Sequence, residues 1–454
     1  MPYESRNPAT EELLARFDTL PSNAIGVLIE HTEKTQKVWA GLSLAQRCQA
    51  LLAVADQLVL RREHFARLMT LEMGKLWRES LAEIDKCADL ARFYAAEAEH
   101  MLANEAVDLP SGRGYVCYPP LGTVLGIMPW NYPFWQVFRF AVPALLAGNA
   151  CLLKHAANVP QCAIAIEEVF THAGLPEGVF RNLFADNDDV DRIIAHPSVR
   201  AISFTGSETV GRLVAATAGQ YLKKSVLELG GSDPWVVLKD ADLAPAVEQA
   251  VAARFINAGQ ACTAAKRMIV VPEIADAFVE QLANKVAELS MGDPFADTTR
   301  MGPMARKDLR DKLQRQVDAS VATGAVLQGT PQPRPDNGFF FSPMVLDHVH
   351  PHASAYFEEL FGPVACVIRA ENEDDALRIA NDTRYGLGAV VWSQDTDRAE
   401  AFAHKIESGM AYVNGQLRSN NRLPFGGTKA SGYGRELSRF GLREFTNIRS
   451  VWIK

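Results

Sequence analysis

The chain of 454 residues has a formal net charge of −8, with 48% hydrophobic and 22% charged residues. This length is too great for one core and predicts two or three domains of ordinary globular composition. Lysine and arginine are dispersed, so no nucleic-acid surface is expected. The longest apolar stretch, residues 138–153, is broken by proline and glycine, so no membrane span is predicted.

Seven cysteines are scattered along the sequence, without CxxC pairs or Cys/His clusters. Their odd number and irregular spacing argue against a disulfide framework and against structural zinc, so no metal site is predicted. The first residues lack the apolar core of a signal peptide. We therefore expect a protein of the reducing cytoplasm.

The predicted elements change character along the chain. Residues 24–103 have apolar side chains at helical spacing, with Ser43 as a candidate helix cap. A short hairpin at 104–118 is typical of an arm that pairs with another element. From Gly122 to Leu229 strands and helices alternate, which predicts a parallel sheet covered on both faces. The alternation restarts after Gly230 and predicts a second α/β domain.

Cys262 follows a glycine-bearing turn, residues 257–261, between a helical run and an apolar strand. A thiol at such a junction can face a pocket together with its own backbone N–H, which suits a nucleophile. The alternative is a buried cysteine that packs as a small apolar side chain.

Three polar motifs lie at or just after the ends of predicted strands in the first domain. Asn131, between two prolines, could donate to an oxyanion or stabilise a turn. Lys154 could bind a ribose hydroxyl or a phosphate, or lie at the surface. Gly206-Ser207 opens a helix whose N-terminus could hold a pyrophosphate, although Ser207 could simply cap that helix.

Two acidic motifs complete the candidate site. Glu228 lies among leucines before a diglycine, where burial should raise its pKa and suit it to general-base catalysis; an ion pair is the alternative. Glu359 could hold ribose hydroxyls, and Phe361 could pack on a flat ring.

In order and spacing, these motifs resemble the NAD(P)-dependent aldehyde dehydrogenase superfamily over nearly the whole chain. The resemblance rests on PWN, the strand-end Lys154, FTGSxxxG, ELGG, GQxC, EExFGP and PFGGxKxSGxGRE. It implies an α/β fold with two parallel-sheet domains, a Rossmann-like cofactor domain and a catalytic domain, plus a β-arm used in oligomers. The implied boundaries are 1–103 and 119–229 for the cofactor domain, 230–424 for the catalytic domain, and 104–118 with 425–454 for the oligomerisation arm and C-terminal segment.

The resemblance also implies roles for individual residues. Cys262 would attack the aldehyde, with Asn131 and the Cys262 N–H as the oxyanion hole. Hydride transfer would leave a thioester, which water activated by Glu228 would hydrolyse. The positions that match cofactor contacts in the family are Trp130, Lys154, Gly206, Ser207, Gly211, Glu359 and Phe361.

The resemblance defines cofactor and substrate less closely. Relatives that prefer NAD often have a glutamate at the position of Ala157, so NADP use is compatible with this sequence and we expect both cofactors to work. Arg139 and Ser419 match carboxylate-binding residues of succinate semialdehyde dehydrogenases, whereas Ile256 stands where those enzymes usually have a second arginine.

The expected substrate is therefore succinate semialdehyde, and the alternative is a broad specificity for neutral aliphatic or aromatic aldehydes. For Arg139 the alternative is an ion pair with a nearby acid. A homodimer or homotetramer is expected from the arm.

Overall fold

The structure, a computed structural model, describes residues 3–454. Its α-helices are α1 (Ser22–Ala40), α2 (Leu44–Leu60), α3 (Arg62–Met73), α4 (Trp77–Leu102), α5 (Pro133–Leu146), α6 (Pro160–His172), α7 (Val190–Ala195), α8 (Glu208–Gln220), α9 (Leu243–Phe255), α10 (Pro272–Ala287), α11 (Lys307–Ala322), α12 (Ser354–Phe357), α13 (Glu373–Asn381), α14 (Thr396–Ala403) and α15 (Ser438–Glu444).

The strands are β1 (Tyr3–Arg6), β2 (Leu13–Phe17), β3 (Glu105–Val107), β4 (Arg113–Cys117), β5 (Thr123–Met128), β6 (Ala150–His155), β7 (Phe180–Asn182), β8 (Val199–Thr205), β9 (Lys224–Glu228), β10 (Pro234–Val237), β11 (Arg267–Val270), β12 (Val326–Gln328), β13 (Met344–Asp347), β14 (Val364–Arg369), β15 (Tyr385–Gly386), β16 (Gly388–Trp392), β17 (Met410–Val413), β18 (Thr428–Lys429), β19 (Gly432–Tyr433) and β20 (Arg449–Ile453).

The N-terminal helices form as their apolar spacing predicts. Ser43 caps α2 in a capping box: its Oγ accepts from the Gln46 N–H at 3.3 Å, and the Gln46 side chain accepts from the Ser43 N–H at 2.9 Å. The helical run predicted from Arg62 onward is divided at Gly74, whose φ of 76° ends α3.

The first sheet has the strand order β19-β9-β8-β5-β6-β7, and all its strands except β19 run parallel. Every residue of β6 is buried, as expected for a strand covered by helices on both faces. The register pairs Thr205 with Glu228 and Met128 with His155. The carboxyl ends of these strands therefore meet at one edge of the sheet, where ligands of such folds bind.

The second sheet has the strand order β12-β13-β14-β11-β10-β16-β17, and within it β12 alone is antiparallel to its neighbour. The cysteine segment lies between α9 and β11 of this part of the chain. The predicted α/β class with two mainly parallel sheets is confirmed.

A separate antiparallel sheet, β20-β4-β3, forms from the predicted hairpin and the terminal strand. The rest of the C-terminal segment does not join this sheet. β18 pairs with β15, β19 extends the first sheet beside β9, and α15 packs on α4 and α5. The segment after residue 425 is thus divided among the arm, the layer that carries the first sheet and a small sheet with β15.

Among residues 3–454, no helix combines the length and the apolar character needed to cross a lipid bilayer.

Candidate active site

The loop before Cys262 has an unusual backbone. Asn257, Ala258 and Gly259 have φ values of 51°, 53° and 72°, in the left-handed region. A Cβ on Gly259 would lie 2.3 Å from the Gly362 carbonyl oxygen, so only glycine allows this close approach. The contact joins the cysteine loop directly to the EExFGP loop.

Arg254, near the end of α9, holds the same two loops together. Its buried guanidinium donates to the carbonyl oxygens of Val364 at 2.7 Å, Leu360 at 2.8 Å and Gly259 at 3.3 Å. A buried arginine that satisfies several backbone oxygens fixes their relative positions. Cys262 is therefore carried on a braced loop.

Asn131 lies against this loop from the first sheet. Its side-chain Nδ2 donates to the Gln260 carbonyl oxygen at 3.0 Å, and Asn257 Nδ2 donates to the Asn131 carbonyl oxygen at 2.8 Å. A carboxamide has two N–H groups, so the second N–H of Asn131 remains available to a ligand. Within residues 3–454, the backbone N–H of Cys262 also has no protein acceptor.

The Cys262 thiol is partly buried, and burial raises its pKa to about 11 against the lowering effect of Arg139 and Lys266. Lys266 lies under the loop and donates to the carbonyl oxygens of Ala261 at 3.0 Å and Cys262 at 2.7 Å. The resting side chain is thus a thiol, which a base must deprotonate before it attacks.

Glu228 ends β9 and is buried, and neither carboxylate oxygen has a hydrogen-bond partner among the described residues. Its side chain lies against Gly426, where a Cβ would approach Glu228 Oε1 to 2.7 Å. Burial raises the pKa of Glu228, with the Arg139 charge acting against the shift and Glu436 adding to it. The raised pKa agrees with the expectation from its leucine-rich setting.

Two cavities meet at Cys262, and Gln136 of α5 lines both of them as well. The sheet-edge cavity, of 530 Å³, lies at the carboxyl edge of the first sheet. The helix-lined cavity, of 420 Å³, lies between α4, α5 and the loop before Phe425. A thiol at this junction can be reached by one ligand from each side.

The sheet-edge cavity brings together most of the predicted cofactor positions. Trp130 and Phe361 meet edge to face across it, with ring centroids 5.9 Å apart. Glu359 accepts from Gly231 N–H at 3.1 Å and pairs with Lys266 at 3.2 Å. A Cβ on the preceding glycine of the ELGG motif would come within 2.4 Å of Glu359 Oε2, so this glycine leaves the space that the carboxylate occupies.

The start of α8 forms another wall of the sheet-edge cavity, with Gly206 and Ser207 on its lining. Ser207 Oγ also accepts from the Val210 N–H at 3.5 Å, so the capping role left open by the sequence is present. The free N–H groups of the first turn, an aromatic pair and a carboxylate suit the phosphates, ring and ribose of a dinucleotide. The residues present therefore fit a nicotinamide cofactor.

Two of the predicted cofactor positions lie away from this lining. Lys154 Nζ donates to Asn187 Oδ1 at 2.8 Å, in the connection that follows β7. Gly211 lies on the inner face of α8, where a Cβ would come within 2.4 Å of the Leu229 side chain. The contacts of Gly211 are thus those of helix packing.

The helix-lined cavity contains the predicted substrate residues Arg139 and Ser419, and also Ile256, which stands in place of the expected second arginine. Arg139 is buried and forms an ion pair with Glu436, and its Nη2 donates to Gln136 Oε1 at 2.6 Å. The ion pair that the sequence left open for Arg139 is therefore formed. Ile256 is 40% exposed and puts an apolar side chain on the cavity wall.

Several residues of the site were not singled out by the sequence. Glu436 belongs to the quoted glycine-dense motif, but its pairing with α5 depends on the path of the C-terminal segment. Gln136 follows the PWN motif on the same helix as Arg139. This position was the one feature of the sequence that could have indicated that Gln136 belongs to the site. Lys86, Arg254 and Lys266 belong to no motif that the sequence made recognisable, and only the fold brings them to the site.

Comparisons with known proteins agree with this geometry. The model of the family described as "Aldehyde dehydrogenase family" matches residues 1–451. A succinate-semialdehyde dehydrogenase (NADP+) of Mycolicibacterium paratuberculosis is 44% identical over 457 residues, covering 100% of this chain and 97% of the relative. An enzyme of the same name from Deinococcus radiodurans is 43% identical over 451 residues, and the match covers 99% of this chain and 94% of the relative.

Among solved structures, succinic semialdehyde dehydrogenase from Streptococcus pyogenes in complex with NADP+ superposes with a TM-score of 0.97. It is 35% identical, and the match covers 99% of each chain.

Proposed function

Because the chain belongs to the aldehyde dehydrogenase family, we propose that it oxidises succinate semialdehyde to succinate, with NADP+ or NAD+ and water as co-substrates. The relatives that are 43–44% identical over nearly their full length carry that substrate in their names. One observation carries the proposal: Cys262 lies where a cofactor-shaped cavity meets a second cavity that contains basic and hydroxyl side chains.

Cys262 is the proposed nucleophile. Once deprotonated, its Sγ attacks the aldehyde carbon and forms a thiohemiacetal. The free N–H of Asn131 and the backbone N–H of Cys262 are the proposed donors to the oxyanion, and the hydrogen bond to Gln260 holds the Asn131 amide in place.

Glu228 is the proposed general base for hydrolysis of the thioester that follows oxidation of the Cys262 adduct. Its raised pKa and unpaired oxygens suit a group that takes a proton from water. It lies beside Gly426, off the lining of both cavities, so its side chain rotates toward Cys262 to act.

The nicotinamide cofactor, when bound, supplies the hydride acceptor for this oxidation. The residues proposed to bind it are Trp130, Lys154, Gly206, Ser207, Gly211, Glu359 and Phe361, of which Gly211 acts through the packing of α8. Ala157 brings no carboxylate to repel a 2′-phosphate and no cation to bind one, so we propose that both NADP and NAD are used.

The proposal extends to assembly and compartment. The exposed edges of the β20-β4-β3 sheet support a homodimer or homotetramer. The seven cysteines are free thiols, in keeping with a reducing cytoplasm.

Initial rates of NADPH and NADH formation with succinate semialdehyde and with butanal test the proposal. These aldehydes have the same number of carbons and differ in the terminal carboxylate. We expect a higher kcat/KM for succinate semialdehyde. Equal or better turnover of butanal would assign the protein to neutral aldehydes instead, and no turnover of any aldehyde would remove the proposed function.

A further inference from the structure

Lys86 of α4 projects into the helix-lined cavity that contains Cys262. Its Nζ donates to Ser419 Oγ and lies 3.9 Å from the centre of the Trp135 ring. Within residues 3–454, no carboxylate forms an ion pair with it. An ammonium held by a hydroxyl and an aromatic face keeps its positive charge available to a ligand.

The other charged side chains of this cavity are compensated within the protein. Arg139 is paired with Glu436, and Glu83 is paired with Lys75. Glu83 Oε1 also accepts from two backbone N–H groups at the start of α5, both at 2.9 Å. These partners leave the ammonium of Lys86 without a carboxylate partner of its own on the inner wall, with the charge of the nearby Glu83 only partly offsetting the cost of burial.

Two further charged residues line the cavity and do not alter this balance. Burial raises the pKa of Glu79 and so disfavours its ionised form, while the charge of Lys75 and the hydrogen bond that Glu79 accepts from the Asn257 N–H at 3.2 Å act against this shift. Arg418 is exposed at the mouth and donates to Gln416 Oε1 at 2.8 Å. Neither residue contacts Lys86.

The lack of a carboxylate partner also affects the proton affinity of Lys86. Burial, together with the charge of Arg139, lowers the pKa of Lys86 to about 8, so the side chain is mostly an ammonium at neutral pH. A bound carboxylate would stabilise the charged form, because an opposite charge at close range offsets the cost of burial. The cavity therefore favours an anionic ligand beside Lys86.

We propose that Lys86 and Ser419 together bind the substrate carboxylate, with the ammonium as the charged partner and the hydroxyl as the second donor. Arg139 then acts as the buried partner of Glu436. This inference rests on the proposed function, and it identifies the group that distinguishes a semialdehyde from a neutral aldehyde in a chain where Ile256 replaces the expected second arginine.

The geometry supports this assignment in two ways. Lys86 and Ser419 come from elements 333 positions apart and meet at one point of the cavity wall. A carboxylate placed there replaces the hydrogen bond between Lys86 and Ser419. It accepts one charge-assisted hydrogen bond from the ammonium and one from the hydroxyl. Trp135 beneath the ammonium limits its movement and supplies an apolar face for the short carbon chain.

The test uses Lys86→Met, which keeps an unbranched side chain of nearly the same length and removes its charge, and Lys86→Arg, which restores a cation. We expect Lys86→Met to lower kcat/KM for succinate semialdehyde by roughly 10- to 100-fold, as loss of a charge-assisted contact predicts. The kcat/KM for butanal should stay within about twofold of wild type. Lys86→Arg should recover most of the loss.

A binding measurement separates this inference from the proposed function. Succinate, the product, is titrated calorimetrically into wild type and Lys86→Met, and we expect the variant to bind it roughly 10- to 100-fold more weakly. Equal affinity would overturn the role of Lys86 and leave the proposed activity standing. If wild type binds succinate through Lys86 but oxidises no semialdehyde, the inference survives and the proposed function fails. Equal losses with both aldehydes would show a structural role and overturn the inference.

Discussion

Glu228 combines a buried carboxylate with a proposed role, general-base catalysis, that requires its ionised form. Burial, reinforced by Glu436, raises its pKa, so the base form is gained only as the pH rises above the usual range of a glutamate. We therefore expect steady-state kcat to increase from weakly acidic to alkaline pH wherever thioester hydrolysis limits turnover.

Substitution of this residue separates the two half-reactions. In Glu228→Gln we expect a single burst of NADPH, close to one per active site, followed by turnover slowed by roughly 100-fold, since a general base contributes on that order. Stopped-flow absorbance of NADPH measures both phases. Turnover within a few-fold of wild type would exclude Glu228 as the base.

Arg139 forms the ion pair that the sequence could raise only as an alternative. It lies between Glu436, its ion-pair partner, and Glu228, whose pKa its charge lowers. Removing it leaves two buried carboxylates near each other without the cation that lies between them, and only Arg435 still acts on Glu228, which is costly because neither carboxylate can reach water.

We expect Arg139→Gln to lower the free energy of unfolding by about 3–5 kcal/mol, as measured for buried pairs that lose one partner. Turnover of succinate semialdehyde and of butanal should fall together, because the base is affected and not the carboxylate contact. Denaturant unfolding and the two kcat/KM values measure these effects. The double variant Arg139→Gln/Glu436→Gln serves as the control and should regain part of the stability; a loss confined to the semialdehyde would instead mean that Arg139 binds the carboxylate.

At the scale of elements, the cysteine loop depends on one glycine. Gly259 combines a left-handed φ of 72° with a carbonyl oxygen 2.3 Å from any added Cβ. We expect Gly259→Ala to displace the loop and to lower kcat, in addition to lowering the free energy of unfolding. Gly329 provides a matched control, since its φ is 74° but nothing lies within 4 Å of its Cβ position.

The two alanine variants share the backbone cost, about 1–2 kcal/mol for a left-handed residue, and differ in the clash. Gly329→Ala should therefore lose stability with kcat unchanged, whereas Gly259→Ala should lose both. Thermal unfolding and kcat measured side by side give the comparison. Identical behaviour of the two variants would mean that the contact with Gly362 does not position Cys262.

Local patterns predicted the elements that have clear periodicity or turn chemistry. The hairpin predicted at 104–118 forms as β3 and β4, and the capping of α2 by Ser43 follows from its sequence. Helix α11 gives no clear apolar pattern of this kind, because charged residues dominate it and few of its side chains are buried. Strand β16 gives no such signal, because all of its residues are buried and it carries no alternation.

The residues of the candidate site also fall into those that a local sequence pattern identifies and those that only the fold brings together. Residues within recognisable motifs, such as Cys262, Asn131 and Glu228, could be identified from order and spacing. The pairing of Arg139 with Glu436 and of Lys86 with Ser419 could not, because each joins elements hundreds of positions apart. Such contacts depend on tertiary packing, which no local pattern contains.

At the scale of the whole molecule, the C-terminal segment connects the parts of the chain. β18 pairs with β15, β19 lies beside the strand that ends in Glu228, and Glu436 reaches Arg139 of α5. The chain then continues through α15 into β20 of the arm. The proposed catalytic carboxylate and the arm are therefore linked through one short segment.

The arm has open strand edges with apolar side chains. Val107 of β3 is 45% exposed and Trp452 of β20 is 57% exposed, on opposite edges of the sheet. Strand edges that are left unpaired and carry exposed apolar side chains tend to pair with the edge of another chain. We expect wild type to sediment as a dimer or tetramer, and Val107→Asp/Trp452→Asp to sediment as a smaller species, because a charge on each edge opposes pairing.

Sedimentation velocity measures this change, with Val27→Asp as the control: Val27 is 66% exposed but lies on α1, away from the arm. The control should keep the sedimentation coefficient of wild type. None of the residues that line the sheet-edge cavity belongs to the arm, so the arm variant should still bind cofactor even if its turnover falls. A monomeric wild type, or an arm variant that sediments like wild type, would show that the arm does not mediate assembly.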